Sequence, residues 1–150
     1  MIKQLLTLAA LTFSLSASAQ THPLWMRYSA ISPDGSTIAF SYKGDIYTVP
    51  VGGGNARQLT SNAAYDAYPV WSSDGQNIAF ASTREGSMDI YLMNRNGGAP
   101  KRLTTDSGDE YPQTFRDNTH ILFSANGMPT QKSIIFAGGS FPQVYEVGTN

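Results

Sequence analysis

Hydrolytic chemistry needs a nucleophile, a base and an orienting acid, and this chain holds few of the parts. It has no cysteine and two histidines, His22 and His120. Thiol nucleophiles, disulfide frameworks and cysteine-ligated zinc are therefore excluded. A serine triad would need one histidine held against a serine. His22 sits beside a leader-cleavage point and His120 opens a strand in a decayed repeat, so both read as structural or solvated. Gly138-Gly139-Ser140-Phe141-Pro142 fails the Gly-x-Ser-x-Gly nucleophile elbow at its last position. Gly52-Gly53-Gly54 would need a glycine where Arg57 stands, and a helix after it, to cradle a dinucleotide. Asp34, Asp74 and Asp117 recur at 40 and 43 residues in equivalent turns, which makes them turn caps and not paired catalytic acids. No loop carries the alternating carboxylates of a calcium site. Residues 1–150 are thus expected to hold no catalytic residue, no metal and no cofactor.

What the chain does offer is a set of acidic and aromatic residues in two short connections. Ser61–Tyr68 contains Tyr65 and Asp66, and Thr105–Tyr111 contains Asp109 and Glu110. Whether they can act together depends on the elements that carry them.

The 150 residues balance 10 Lys+Arg against 11 Asp+Glu, which leaves no basic footprint for nucleic acid. Only 14% are charged, while 14 Gly, 8 Pro and 17 aromatic residues (Tyr 8, Phe 7, Trp 2) suit short strands and tight turns. The first residues read as an export signal. Lys3 gives a positive start, Leu5–Leu15 is an apolar run, and Ala17-Ser18-Ala19 is a peptidase site, so cleavage is expected before Gln20. Eleven residues rise only about 16 Å as a helix, too short for a bilayer core of about 30 Å. An exported protein, periplasmic or secreted and not membrane-held after cleavage, is the expectation.

The rest repeats itself. Ser32–Phe40 and Ser72–Phe80 agree at six of nine positions at an offset of 40, and Arg116–Phe123 is a decayed third copy. Gly44-Asp45-Ile46-Tyr47 recurs as Met88-Asp89-Ile90-Tyr91, and Arg57-Gln58-Leu59-Thr60 as Lys101-Arg102-Leu103-Thr104, both at 44. The drift from 40 to 44 places an insertion around Thr83–Ser87. Each unit predicts four strands: in the first, Tyr28–Ser32, Thr37–Tyr42, Asp45–Val51 and Ala56–Thr60, separated by Pro33-Asp34-Gly35, Lys43-Gly44 and Gly52–Asn55. Repetition at this period with four antiparallel strands per unit predicts an all-β fold, a β-propeller of four-stranded blades. Its parts are a leader at 1–19, a lead-in at 20–26, and blades at about 27–64, 65–108 and 109–150.

The phrase Tyr68–Phe80, Tyr-Pro-x-Trp-Ser-x-Asp-Gly-x-x-Ile-Ala-Phe, with the Asp-Ile-Tyr and Arg-x-Leu-Thr elements after it, resembles TolB-like and tricorn-type propeller repeats. The resemblance covers about residues 25–150. Ser29 departs from the proline in the first unit and Thr114 from the tryptophan in the third, and Ser124–Phe141 lengthens the third unit before Gln143-Val144-Tyr145 resumes it. A leader followed at once by blades is most similar to exported tricorn-type serine peptidases, in which the propeller precedes the protease region. That resemblance implies a propeller that gates or positions peptide substrates without cutting them. A noncatalytic TolB-type interaction module and the propeller of a prolyl-oligopeptidase-like hydrolase are the alternatives.

About three blades fall short of the four to eight of closed propellers, and the last is incomplete, so the remaining blades are expected from chain beyond Asn150. In a propeller, connections between blades lie on one face near the channel, where loops commonly carry ligand contacts. There Tyr65, Asp66, Asp109 and Glu110 would form an acidic and aromatic rim for a peptide or protein partner.

Overall fold

The computed structural model describes residues 25–126 and 144–149; the expected leader, His22 and residues 127–143 of the lengthened third unit lie outside them. The first sheet holds β1 (Arg27–Ile31), β2 (Thr37–Tyr42), β3 (Asp45–Pro50) and β4 (Arg57–Gln58) in that order. The second holds β5 (Asp66–Trp71), β6 (Asn77–Glu85), β7 (Ser87–Asn94) and β8 (Lys101–Arg102). The third comprises β9 (Glu110–Phe115), β10 (His120–Ala125) and β11 (Val144–Gly148). All pairings are antiparallel between chain neighbours.

Local chemistry sets the turns. Lys43 and Gly44 both have positive φ (52° and 88°), the two-residue hairpin whose twist matches its strands. At the opposite end Asp34 Oδ1 accepts from the Ser32 hydroxyl (2.5 Å), the Ser36 amide (3.0 Å) and the Ser36 hydroxyl (2.8 Å). Asp74 repeats this with Ser72 (2.6 Å) and the Gln76 amide (3.0 Å), and Asp117 with the Thr119 amide (2.7 Å). Hydrogen bonds to the ionised form hold these carboxyls low, Asp34 at about 2. The three repeated aspartates are turn caps.

The insertion around Thr83–Ser87 lengthens a hairpin: β6 and β7 run to Glu85 and Ser87 about Gly86, nine and eight residues against six in β2 and β3. The outer strands are shorter than expected. β4 and β8 keep two residues each; after Gln58 the ladder ends, with the Leu59 and Thr60 amides both turned to the Ile46 carbonyl.

The sheets pack face to face with two cores between them. Ala39, Ile46, Trp71, Ile78, Phe80, Tyr91 and Met93 join the first sheet to the second. Ala79, Ile90, Leu103, Phe115, Ile121, Phe123 and Val147 join the second to the third. The Trp71 indole donates to the Ala30 carbonyl across the first junction (3.1 Å). First strands touch first strands, β1 on β5 and β5 on β9, whereas β4 and β8 do not touch. The sheets therefore converge at their first strands and splay outward, as blades about an axis.

Candidate functional site

Alternation of strand direction places the β2–β3, β4–β5, β6–β7 and β8–β9 connections at one end of the blades. Each repeat builds this end with the same device. In the first blade the Ile46 amide donates to Thr60 Oγ1 (2.9 Å), and that hydroxyl donates to Asp45 Oδ1 (3.2 Å). In the second the Ile90 amide donates to Thr104 Oγ1 (2.8 Å), but this hydroxyl turns to Glu110 Oε2 of the next blade (3.1 Å). The repeated Asp-Ile-Tyr and Leu-Thr elements are thus a threonine clasp between an inner amide and a carboxylate.

The four residues expected on the rim separate into two pairs. Tyr65 is exposed and lines a cavity of about 490 Å³ with Trp25, Arg27, Ser41, Lys43 and Gly44. Asp109 is half-buried; its Oδ1 accepts the Met88 amide (2.9 Å) and its carbonyl accepts the Asn126 amide (2.9 Å). Asp66 and Glu110, by contrast, are buried (0% and 1% exposed) and present no carboxylate to solvent. Asp66 is withdrawn by Arg84, whose Nη2 lies 2.6 Å from Oδ2. Arg84 in turn stacks over Phe80 and Tyr91, 5.3 and 5.1 Å from their ring centres. Beside Tyr65 the lining charges are Arg27 and Lys43, so the rim is basic there and acidic near Asp109.

Glu110 is held as a much weaker acid than an ordinary glutamate. Burial pushes its carboxyl up to about 7, and the charges of Asp89, Asp106 and Asp109 add to the rise against the opposing bond from Thr104. The loop pressed on it is tight: a Cβ on Gly108 would lie 2.4 Å from the Asn126 carbonyl oxygen. Asp89 is raised by burial as well, although Arg102 Nη2 holds its Oδ2 at 2.8 Å.

A third feature lies on the first strands. Tyr28, Tyr68 and Tyr111 occupy equivalent positions of the three blades. Tyr28 stacks on Tyr68 (centroids 3.8 Å apart, 29° between planes), and Tyr68 meets Tyr111 edge to face (5.1 Å, 70°). The Tyr68 hydroxyl donates to that of Tyr28 (3.1 Å). Sequence reasoning passed over this ladder, and over Arg84 and the clasp threonines. The recurrence of Tyr at 40 and 43 residues was the available signal for the ladder. Arg84 had none, since it sits in the inserted hairpin where no repeat partner exists. His120 lies at the other end of the blades, with Nδ1 3.0 Å from Asp117 Oδ1 and Nε2 3.8 Å from Glu146 Oε1.

Four-stranded antiparallel blades that converge on their first strands define a β-propeller, here a partial one. Residues 23–140 match the tricorn protease N-terminal beta propeller domain, and the chain belongs to that family. It is 32% identical over 82 residues to tricorn protease homolog 1 of Streptomyces coelicolor, covering 55% of this chain and 8% of that protein. It is 41% identical over 61 residues to the Tol-Pal system protein TolB of Desulfosudis oleivorans, covering 38% of this chain and 14% of that one. Among solved structures, a putative TolB from Agrobacterium tumefaciens superposes with a TM-score of 0.66 at 21% identity, over 85% of this chain and 52% of that chain. The chain thus spans a small part of the length of the curated relatives it matches.

Proposed function

We propose that this chain is the N-terminal propeller segment of an exported tricorn-like serine peptidase, positioning or gating peptide substrates while cleavage occurs at residues outside it. The family match across residues 23–140 directly after the leader pattern is the observation that carries this reading. On it, a peptide engages the end of the blades that bears Tyr65 and Asp109. Asp66 and Glu110 act from behind that surface by fixing the connections. The test is to extend the reading frame past Asn150 and assay both forms on unstructured peptides. A downstream serine-protease region, cleavage by the long form and none by residues 20–150 support the reading. Turnover by residues 20–150, abolished at His22 or His120, overturns it.

The identity to a TolB over 61 residues favours a second reading, a noncatalytic module that holds a protein partner at the same end. A reading frame that ends after further blades with no protease region selects it. A Gly-x-Ser-x-Gly elbow downstream would instead select a prolyl-oligopeptidase-like hydrolase.

A further inference from the structure

The tyrosine ladder is built at a cost. Tyr28 and Tyr68 both have positive φ, 52° and 58°. That region is strained for a bulky residue by about 1–3 kcal/mol, and such strain persists where the surroundings impose it. Both residues sit in irregularities of the β1–β2 and β5–β6 pairings, between Arg27 and Ala30 and between Ala67 and Val70. A bulge re-aims a side chain that regular pleating would send elsewhere. The same unfavourable backbone at equivalent positions of two blades swings two rings into one stack, and Tyr111 closes the row from the third blade. The rings are not sealed in the core: Tyr28 is 38% exposed, and Tyr68 and Tyr111 are half-buried.

The charges around the row differ at its ends. Arg27 precedes Tyr28 in the chain and lines the cavity with Lys43. Asp109 stands at the other end, two residues before Tyr111. The Tyr111 phenol is held protonated by burial first, then by the charge of Asp109 and a hydrogen bond to it. Tyr68 is pushed up to about 12, first by its bond to Tyr28 and then by burial. Both rings therefore stay neutral and electron-rich at any physiological pH. Asp66 and Glu110 are buried behind, bound to Arg84 and Thr104.

We propose that the ladder is a docking site for a cationic side chain of an extended peptide, an arginine or lysine seated on the Tyr68 and Tyr111 rings beside the Asp109 carboxylate. A cation over aromatic faces with an adjacent carboxylate gains both attractions, and the Arg27 end repels it. This rests on the peptide-positioning reading above and names the substrate class it would favour.

The test compares two peptides on the full chain by calorimetry, one with a central arginine flanked by glycines and one with citrulline in its place. Citrulline keeps the planar shape and loses the charge. A cation–π contact of this kind predicts that the citrulline peptide binds about 2- to 30-fold more weakly. Tyr111→Leu is expected to weaken the arginine peptide by a similar factor and leave the citrulline peptide unchanged, while Tyr111→Phe retains binding because the ring remains. Asp109→Asn keeps an acceptor for the Met88 amide, removes the charge, and should reduce the salt dependence of arginine-peptide binding. Thermal unfolding checks each variant; if Tyr111→Leu does not fold, the Phe and Asn variants and the citrulline comparison decide. Equal binding of both peptides, with no effect of Tyr111→Leu or Asp109→Asn, overturns the ladder site and leaves peptide positioning intact. No binding of either peptide overturns both.

Discussion

Glu110 gives the sharpest consequence of the structure for stability. Its carboxyl is pushed from the ordinary 4.5 up to about 7, first by burial and then by Asp89, Asp106 and Asp109. A group whose folded pKa lies above its unfolded one binds more protons in the folded state between the two values. Its contribution is fully present below about pH 4.5 and is lost as pH rises through about 7. At about 1.4 kcal/mol per pH unit, the interval corresponds to a loss of about 3 kcal/mol. Glu110→Gln keeps an oxygen to accept from Thr104 and removes the titration. The variant should therefore be close to wild type at pH 5 and more stable by up to about 3 kcal/mol at pH 8.5, where wild type carries the buried charge. Urea unfolding followed by tryptophan fluorescence at pH 5, 6, 7 and 8.5 measures this directly. The signature is a wild-type curve falling across this range and a flatter variant curve. A variant less stable than wild type at pH 8.5 would mean that the ionised carboxylate is well solvated or paired, and the account of the second junction would be wrong.

Four further outcomes are expected. Asp66→Ala leaves the Arg84 guanidinium buried without its partner and should cost about 3–5 kcal/mol, and the double variant Asp66→Ala/Arg84→Met should recover part of that; additive losses in a double-mutant cycle would show the pair to be uncoupled. Phe80, fully buried and stacked on Tyr91, should cost about 3–5 kcal/mol as Phe80→Ala in equilibrium unfolding, and a loss under about 1 kcal/mol would remove β6 from the core. Gly108→Ala places a Cβ against the Asn126 carbonyl and should destabilise by about 1–3 kcal/mol; an unchanged unfolding midpoint would mean that the loop over Glu110 is free to shift. N-terminal sequencing of exported protein should begin at Gln20, and retention of Met1 would refute the leader.

The parts legible in the sequence are those whose causes are local. Asp34 and Asp74 cap their own turns through atoms two residues away, so residue type and spacing suffice. The same holds for Lys43-Gly44 and for the period that defines the blades. Asp66 and Glu110 were legible as acids in the right connections but not as buried ones. Their burial follows from Arg84, 18 residues away in an inserted hairpin, and from Thr104, whose hydroxyl chooses between its own blade and the next. In the first blade the equivalent hydroxyl turns to Asp45, so the repeat alone could not say which acid it would meet. The ladder depends on a positive φ at Tyr28 and Tyr68, a conformation that residue type argues against and only the strand pairing imposes.

The repeated carboxylates at the two ends of the blades are held in different ways. At one end Asp34, Asp74 and Asp117 are bound to amides and hydroxyls of their own turns, which lowers their pKa, while Glu146 is buried there against Arg116. At the other end, burial raises Asp45, Asp89 and Glu110, and Asp66 Oδ1 and Asp89 Oδ1 are buried without a hydrogen-bond partner. Strained backbone at Tyr28 and Tyr68 and a loop closed onto Asn126 lie on the inner strands and connections of the same molecule. A fold optimised for stability alone would use the cheap arrangement throughout, since buried ion pairs are often no better than apolar packing. Buried acids do fix geometry: Asp66 ties β5 to β6, and Glu110 ties β9 to the Thr104 segment. The first strands carry Tyr28, Tyr68 and Tyr111, whose rings meet within a few ångströms. The raised carboxyls and the strained tyrosine backbone thus fall on the inner strands and on the connections at one end of the blades.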